Sequence, residues 1–220
     1  MTRSLLRYGY PAAVLVLAAA VISGGGCVGA LSTLAYWIKG TNIDAEFDGL
    51  EGKKVVVVCR PVADLTYRTH LVNRDLAREV SRLLQANVPK IQVIPQREVV
   101  EWLDENGDWD HYGEVGQALG ADMVVGIDLR DFNLLLDQTL YQGTANVSIV
   151  VYDCARDAEP IFEKEPPQTV YPPNVGIPVS ERQERQFSRE FVLVLAEEIG
   201  RCFYDHDAHA DYAMDAKAFQ

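Results

Sequence analysis

Residues 53–59 constrain the fold of this chain more strongly than any other segment. They read Lys-Lys-Val-Val-Val-Val-Cys, so four consecutive valines leave the segment without a polar side. β-Branched side chains favour extended backbone, and a strand that is apolar on both sides belongs in a sheet whose two faces are both covered. The run therefore predicts a central strand packed between layers of other elements.

The segment after Pro61 has the spacing of an amphipathic helix of about 20 residues. Its apolar positions recur three or four residues apart, at Val72, Leu76, Val80, Leu83 and Leu84. Three arginines form a basic stripe on the same segment, at Arg74, Arg78 and Arg82. Asp75 and Glu79 lie three residues before the second and third of them, a spacing that allows ion pairs within a helix. We therefore interpret the stripe as a solvated helix surface rather than a binding site.

The rest of the pattern predicts further strands and helices in a definite order. They are a strand at 91–94, helices at 95–106 and 111–119, long strands at 123–130 and 145–152, a short strand at 161–164 and a last helix ending at Phe203. Ser180 and Gln183 have the spacing of a capping box for that helix. The sequence thus predicts an α/β fold of the α+β type, with a single mixed β-sheet packed with helices in the order β-α-β-α-α-β-β-β-α.

The first 26 residues have the features of an export signal. Arg3 and Arg7 precede an uncharged run, Pro11 to Ile22, which ends in Ser23, three glycines and Cys27. A basic start, an apolar stretch and small residues before a cysteine predict a lipoprotein signal peptide, 1–26, with Cys27 lipidated as the mature N-terminus.

Two other interpretations of this segment stay open. No charged residue occurs from Tyr8 to Ile38, and this span exceeds the about 20 residues that cross a bilayer as a helix. An uncleaved N-terminal anchor would hold Arg3 and Arg7 in the cytoplasm and place the rest of the chain outside, as lipidation would. Simple cleavage and release is the third interpretation.

The charge of the chain restricts its partners. The net charge is −12, and because residues 1–26 contain two arginines and no acidic residue, the chain from Cys27 onwards carries −14. Such a surface repels nucleic acid, so we expect no nucleic-acid partner. Attachment to a membrane must come from the lipid or the apolar helix. We divide the rest into a tether, 27–52, an α/β domain, 53–204, and an acidic C-terminal tail, 205–220.

Several segments resemble a known domain. They are the first strand at 55–58, the step Ala-Leu-Gly-Ala-Asp at 118–122 that leads into Met-Val-Val-Gly, and the hairpin strand from Gly143 to Asp153. The layout resembles the small α/β domain of bacterial envelope lipoproteins, which include the curli-secretion lipoprotein, the lipoprotein activators of penicillin-binding proteins and the amino-terminal domain of the Tol propeller protein.

The resemblance implies a fold and a setting rather than an activity, because this fold has several unrelated roles. It implies a non-catalytic lipoprotein that faces the periplasm and binds another envelope protein. Val28 stands where inner-membrane lipoproteins have aspartate, which slightly favours the outer membrane. The sequence leaves open whether the chain forms a homo-oligomer.

Two features are candidate partner-binding sites. Leu134, Leu135 and Leu136 are consecutive in the connection between the long strands, where they either fold back onto the core or present an apolar tip to a partner. Tyr171 lies between prolines in the segment 166–178, which we expect to be an extended loop that could dock a partner.

The cysteines and the histidines of the tail are candidates of a different kind. Cys154 and Cys202 are the better pair for a disulfide, with three unpaired cysteines as the alternative and Cys59 as a buried residue of the first strand. His206 and His209 lie among carboxylates in the tail. They are weak candidates for metal ligands, and they define the alternative function, a small-molecule or metal-binding periplasmic module.

No catalytic residues and no cofactor are predicted. Four charged residues, Asp128, Arg130, Asp131 and Asp137, surround the predicted connection between the long strands, where solvent-facing strand positions require polar residues in any case. Trp109, just before the 111–119 helix, is expected to close the edge of the core. The sequence has no phosphate-binding glycine loop, nucleophile elbow, His-Glu-x-x-His or Cys-x-x-Cys motif.

Lipidation of Cys27 would change the mass of the mature chain. Protein extracted from membranes should have the mass of a chain that starts at Cys27 plus acyl groups, because the signal peptide is removed and the lipidated Cys27 becomes the mature N-terminus. Intact-mass spectrometry of the wild type and of Cys27→Ser tests this. A full-length, unmodified chain in both samples would instead establish the uncleaved anchor.

Overall fold

The computed structural model describes residues 42–61, 67–107, 109–156 and 160–207. The chain divides into two compact units, 1–42 and 43–220, and the described residues belong almost entirely to the second. Cys27, His209 and the remainder of the tail after Asp207 lie outside the described residues.

The described residues form strands and helices in an order close to the predicted one. The strands are β1 (Asn42–Ile43), β2 (Lys54–Pro61), β3 (Gln92–Val93), β4 (Met123–Leu135), β5 (Leu140–Asp153), β6 (Pro160–Lys164), β7 (Thr169–Tyr171), β8 (Ile177–Pro178) and β9 (His206–Asp207). The helices are α1 (Tyr67–Asn87), α2 (Gln96–Glu105), α3 (Tyr112–Leu119) and α4 (Glu184–Gly200).

The main sheet is mixed, as predicted. Its strand order is β3-β2-β4-β5-β6, and β7 and β8 also pair with β5. The strand β2 runs parallel to β3 and β4, whereas β5 runs antiparallel to β4 and to β6. The strands β1 and β9 form a separate two-stranded sheet. The α+β fold class expected from the sequence is confirmed.

Both faces of the sheet are covered, which the valine run required. Val55 and Val57 belong to a core formed with the apolar sides of α1 and α4, and Val56 and Val58 belong to a second core formed with α2 and α3. All four valines are at most 1% exposed. Because neighbouring strand residues point to opposite faces, a strand buried on both sides needs an apolar residue at every position.

The basic stripe of α1 is a surface of ion pairs. Arg78 donates to Asp75 and Arg82 donates to Glu79, each at 2.8 Å. Arg74 reaches across to Asp104 of α2 at 2.6 Å. The predicted pairs within the helix are confirmed, and each arginine of the stripe faces a carboxylate rather than an open site.

The hairpin of β4 and β5 is longer than the sequence predicted. The alternation of apolar and polar residues ends near Arg130 and resumes at Ala145, but backbone pairing continues through Asn133–Thr144 to Leu135–Tyr141. Register shifts between Leu129 and Asp131 and between Asn133 and Leu135 interrupt the alternation without ending the strands. A pattern of period two cannot detect a strand across such bulges.

The helix α4 begins without the predicted capping box. Gln183 is the N-cap residue, no side chain caps the helix, and the first helical residue is Glu184. Ser180 belongs to the preceding segment, in which Val179 donates its N–H to the Thr139 carbonyl at 2.9 Å. Pairing with the hairpin therefore fixes the start of α4, and the capping-box prediction was wrong.

The domain begins before residue 53 and extends past residue 204. Leu50 is fully buried, and Phe47 donates its N–H to the Cys202 carbonyl at 2.9 Å. The carboxylate of Asp205 accepts the N–H of Ala45 at 3.0 Å. In the structure, residues 43–52 thus pack with the α/β domain, and Asp205 contacts this segment too. Two anchoring apolar residues, Phe47 and Leu50, are too few to produce a detectable period.

The burial of Leu50 predicts a measurable loss of stability. Leu50→Ala should lower the free energy of unfolding by about 2–4 kcal/mol, because a cavity replaces a fully buried side chain. Ile43→Ala is the control, since Ile43 is 48% exposed and should change stability by less than about 0.5 kcal/mol. Urea unfolding followed by circular dichroism measures the free energy of unfolding of both variants. Equal and small effects would mean that residues 43–52 belong to the tether, as the sequence predicted.

Candidate partner-binding surface

The turn that joins β4 and β5 is held by the side chain of Asp137. Its Oδ1 atom accepts the Thr139 N–H at 2.7 Å, the Thr139 hydroxyl at 2.8 Å and the Leu140 N–H at 3.0 Å. These bonds, above all the one from the Thr139 N–H, lower the pKa of Asp137 below its ordinary value. The exposed tip of the hairpin therefore carries a fixed negative charge.

The three consecutive leucines beside this turn have different environments. Leu134 is half-buried and packs against the core formed with α1 and α4. Leu135 and Leu136 are 43% and 56% exposed. The structure thus combines the two interpretations of the sequence, since one leucine folds back and two form an apolar tip.

The segment before α4 lies alongside the same end of the hairpin. Ile177 of β8 pairs with Tyr141, and a methyl group added at Gly176 would lie 3.0 Å from the Cβ atom of Leu140. Val175, next to this glycine, is 62% exposed. We call the hairpin-end surface the set formed by Leu135, Leu136, Val175 and residues 179–184.

A shallow concavity of about 610 Å³ opens on this surface. Its lining residues come from the start of β5 and from the segment that enters α4, and they are Tyr141, Val179, Ser180, Glu181, Arg182, Gln183, Glu184 and Gln186. Arg182 forms an ion pair with Glu190 of α4. The hairpin-end surface therefore combines exposed apolar side chains with an adjacent hollow that has a charged lining.

Tyr171, the other candidate partner-binding residue, is buried and does not contribute to this surface. It is only 7% exposed, and its ring stacks on that of Phe187 with centroids 6.0 Å apart. The expected extended loop contains two short strands that pair with β5, through Tyr171–Gly143 and Ile177–Tyr141. Strands this short, in a segment rich in proline, show no alternation of apolar and polar residues. The sequence therefore did not reveal that the segment pairs with β5.

A second group of polar side chains lies on the other face of the sheet. Arg60 and Asp128 are register partners on β2 and β4, and Arg60 Nε lies 3.3 Å from Asp128 Oδ1. The same carboxylate oxygen accepts the Tyr112 hydroxyl at 2.7 Å. The guanidinium of Arg60 lies over the rings of Trp109 and Tyr112, at 5.2 and 5.0 Å from their centroids.

This polar group attaches α3 to the sheet. Arg60 also donates to the Asp110 carbonyl at 3.3 Å, so one arginine holds both the helix and the residues before it. Burial, followed by the charge of Asp128, raises the pKa of Tyr112 above its ordinary range. Trp109 is half-buried against the second core, which confirms its expected place at the core edge. Sequence reasoning missed the Arg60–Asp128 pair, because it follows from the parallel register of two distant strands.

The other charged candidates on β4 have separate partners. Arg130 forms an ion pair with Glu165, and Asp131 accepts the Asn146 side-chain N–H at 3.0 Å. Asp128 lies within β4 rather than near the connection, whose turn contains Asp137. These four residues therefore do not converge, because extension of the hairpin spreads them along a strand.

The structure contradicts the candidate disulfide. Cys59, Cys154 and Cys202 are free thiols, and Cys202 belongs to the core on one face whereas Cys154 packs against the core on the other. The sheet separates the two side chains. Burial raises the pKa of both thiols, as expected for cysteines that act as small apolar residues.

The tail histidines are only partly covered by the structure. His206 lies in β9, with its Nδ1 atom 3.4 Å from the Tyr204 carbonyl oxygen. In the part of the chain that the structure describes, no three His, Cys, Asp or Glu side chains are placed to hold a metal ion. Within the same ranges, no helix has the length and apolar composition to cross a membrane.

Comparison with known proteins finds similarity in structure only. No family model and no curated protein matches the sequence. Similar solved structures include a PelC dodecamer from Paraburkholderia phytofirmans, with 10% identity, coverage of 74% of this chain and 96% of that one, and a TM-score of 0.45. Lipoprotein GNA1162 from Neisseria meningitidis has 14% identity, coverage of 66% and 96%, and a TM-score of 0.42.

A minor lipoprotein from Acinetobacter baumannii is also similar, with 15% identity, coverage of 68% of this chain and 90% of that one, and a TM-score of 0.30. Two of these three solved structures are of lipoproteins. At these identities and TM-scores the likeness says nothing about the role of this chain.

The polar group around Asp128 gives a prediction with a pH dependence. Tyr112→Phe removes a hydrogen bond to a carboxylate, so it should lower the free energy of unfolding by about 1–2 kcal/mol at neutral pH. Above about pH 10 the unfolded chain loses the tyrosine proton while the folded wild type keeps it, because the folded pKa is raised. The stability of the wild type should then fall relative to the variant by about 1.4 kcal/mol per pH unit.

Urea unfolding of both proteins at neutral pH and at several alkaline pH values tests this expectation. A constant difference between the two proteins across the alkaline range would show that Tyr112 ionises alike in both states. Such a result would mean that the bond from Tyr112 to Asp128 does not help to hold α3 on the sheet.

Proposed function

We propose that this protein is a membrane-anchored, non-catalytic envelope lipoprotein whose α+β domain binds another envelope protein in an assembly or accessory role. The main support for this proposal is the exposure of apolar side chains on the hairpin-end surface. There, Leu135 and Leu136 are exposed at the tip of the longest hairpin of the described chain, and Val175 is exposed beside it. Contiguous exposed apolar patches, especially those with polar residues around them, mark interaction sites on proteins.

Burial of these side chains would supply useful binding energy. Each large aliphatic side chain that is fully removed from water contributes about 1.5–3 kcal/mol. The shallow hollow beside them can receive side chains of the partner, and its polar lining offers hydrogen bonds around the apolar tip. The surface therefore has the composition of a modest protein-binding site.

The hairpin-end surface and the start of the described chain lie at opposite ends of α4. Phe187 in the first turn of α4 stacks on Tyr141 near the hairpin end, with ring centroids 5.0 Å apart. At the other end of this helix, Cys202 accepts the N–H of Phe47, close to where the described chain begins. The rise of an α-helix places these two ends about 20 Å apart.

The sequence supplies the anchor in this proposal. If Cys27 is lipidated, the chain from Cys27 to Asn42 can span at most about 50 Å when fully extended. The domain would then reach partners in its own membrane or in the periplasm. Anchoring, reach and recognition would be provided by three successive parts of the chain.

The acidic side chains of β4 and of the turn that follows it support a non-catalytic role. Asp128, Asp131 and Asp137 hold, respectively, the α3 helix, the neighbouring strand and the hairpin turn. Each carboxylate accepts hydrogen bonds that maintain the fold. These structural roles explain the presence of the three acidic residues without assigning them a part in catalysis.

Site-specific photo-crosslinking in the bacterial host tests the proposal. A photoreactive residue at Leu136 should link the full-length chain to a distinct envelope protein, because this side chain lies in the proposed interface. The same residue at Leu193 is the control, since Leu193 is 49% exposed on α4 and lies outside the hairpin-end surface.

A second variant supports the assignment of the partner. Leu135→Ser together with Leu136→Ser should abolish co-purification of the crosslinked protein from detergent-solubilised membranes, whereas Leu193→Ser should leave it unchanged. The proposal fails if Leu136 and Leu193 give the same products, or if the double variant retains the partner.

A further inference from the structure

We infer that the hairpin-end surface binds a protein segment in which basic residues flank apolar side chains. This inference rests on the proposed function and specifies the chemistry of the partner. Two observations support it. Acidic residues lie near the exposed leucines, and the carboxylate of Asp137 is fixed in position by hydrogen bonds.

Acidic residues occur in the turn at the apolar tip and in the segment that enters α4. Residues 134–140 and 179–186 contain three acidic residues and two arginines. The acids are Asp137, Glu181 and Glu184, and all three are exposed. The tip therefore has an acidic rim even before the net charge of the whole chain is considered.

The positive charges near the rim are largely compensated. Arg182 is paired with Glu190 of α4, and its side chain is only 19% exposed. Arg130, at the base of the same hairpin, is paired with Glu165. Arg185 in the first turn of α4 is exposed, and it is outnumbered by the three acids. An approaching partner consequently meets a negative field.

The charge at the centre of the rim is held in place. Asp137 accepts three hydrogen bonds inside its own turn, at 2.7 to 3.0 Å, so its carboxylate cannot turn away or fold onto a neighbouring arginine. A preorganised charge costs less to use in binding than a mobile one. Lysine or arginine side chains of a partner would meet it directly beside Leu136.

The same rim disfavours other occupants of the surface. A second copy of the chain would bring an identical acidic rim, and each full-length copy carries a net charge of −12. Anionic lipid headgroups would be repelled over the Debye length of about 8 Å at physiological ionic strength. A protein segment that is both basic and apolar would bury the leucines and also pair with the acidic rim. Burial of the apolar side chains would supply affinity, and the opposite charges would make the binding specific.

A pair of synthetic peptides tests the inference directly. The probes are an amphipathic peptide of leucine and lysine and a counterpart of equal length in which glutamate replaces lysine. Fluorescence anisotropy measures their binding to the full-length protein in non-ionic detergent. We expect the lysine peptide to bind at least about tenfold more tightly than the glutamate peptide, with a preference that falls as salt is added.

Two variants with the same change in net charge separate a local rim from a general acidic surface. Glu181→Lys should weaken binding of the lysine peptide by about three- to tenfold. Glu101→Lys, in an exposed position on α2, should leave it unchanged. Leu135→Ser with Leu136→Ser should reduce binding by about 30-fold or more, since two apolar contacts are lost. Circular dichroism of each variant confirms that the fold is retained.

Several results would overturn the inference. Equal weakening by Glu181→Lys and Glu101→Lys would mean that net charge alone attracts the peptide. Equal affinity for the two peptides would remove the role of the rim. Leucine-dependent self-association in analytical ultracentrifugation, or leucine-dependent binding to phosphatidylcholine–phosphatidylglycerol vesicles, would assign the surface to a second copy or to a membrane.

These outcomes can be distinguished from failure of the proposed function. A specific crosslink at Leu136 combined with no peptide preference would leave the protein-binding role intact and reject only the basic partner. Absence of that crosslink would reject the role itself, whatever the peptides show.

Discussion

The antiparallel pairing of β4 with β5 is the interaction on which the rest of this structure depends. These strands have 13 and 14 residues, and β5 pairs with β4 on one side and with β6, β7 and β8 on the other. Both cores take residues from this hairpin, with Ile149 and Val151 on one face and Val124 and Val150 on the other. Loss of the pairing would therefore remove the layer to which both sets of helices attach.

Two glycines let the helices approach this hairpin closely. A methyl group added at Gly126 would lie 2.8 Å from the ring of Tyr112, and one added at Gly143 would lie 2.6 Å from the ring of Phe191. The absence of a side chain at each position makes room for an aromatic ring from α3 on one face and from α4 on the other. The two helix layers are thus positioned by the same strand pair.

The hairpin also connects stability with the proposed binding role. Its base lies between two layers of helices, whereas its tip extends beyond them and exposes Leu135 and Leu136. The turn is fixed by hydrogen bonds to Asp137, and Leu134 holds one side of the tip against the core. An apolar tip that is rigid and held at its base loses little entropy on binding, which favours recognition by a defined partner.

The sequence by itself determined the elements whose signal is local. The valine run at 55–58 identified a central strand because burial on both faces demands an apolar residue at every position, and the stripe of α1 identified a helix because its period is regular. The ion pairs of Arg78 and Arg82 followed from spacing along one helix. The extent of the hairpin did not follow, because two bulges shift the register and break the alternation that marks a strand.

Only the tertiary structure decided which distant residues meet. The Arg60–Asp128 pair depends on the register between two parallel strands, and the separation of Cys154 from Cys202 depends on the face of the sheet that each side chain occupies. The burial of Tyr171 and Leu50 results from single contacts with the core, which leave no repeating pattern in the chain. Periodicity reports how a segment would be buried, whereas the partner that buries it is fixed by the packing of the whole domain.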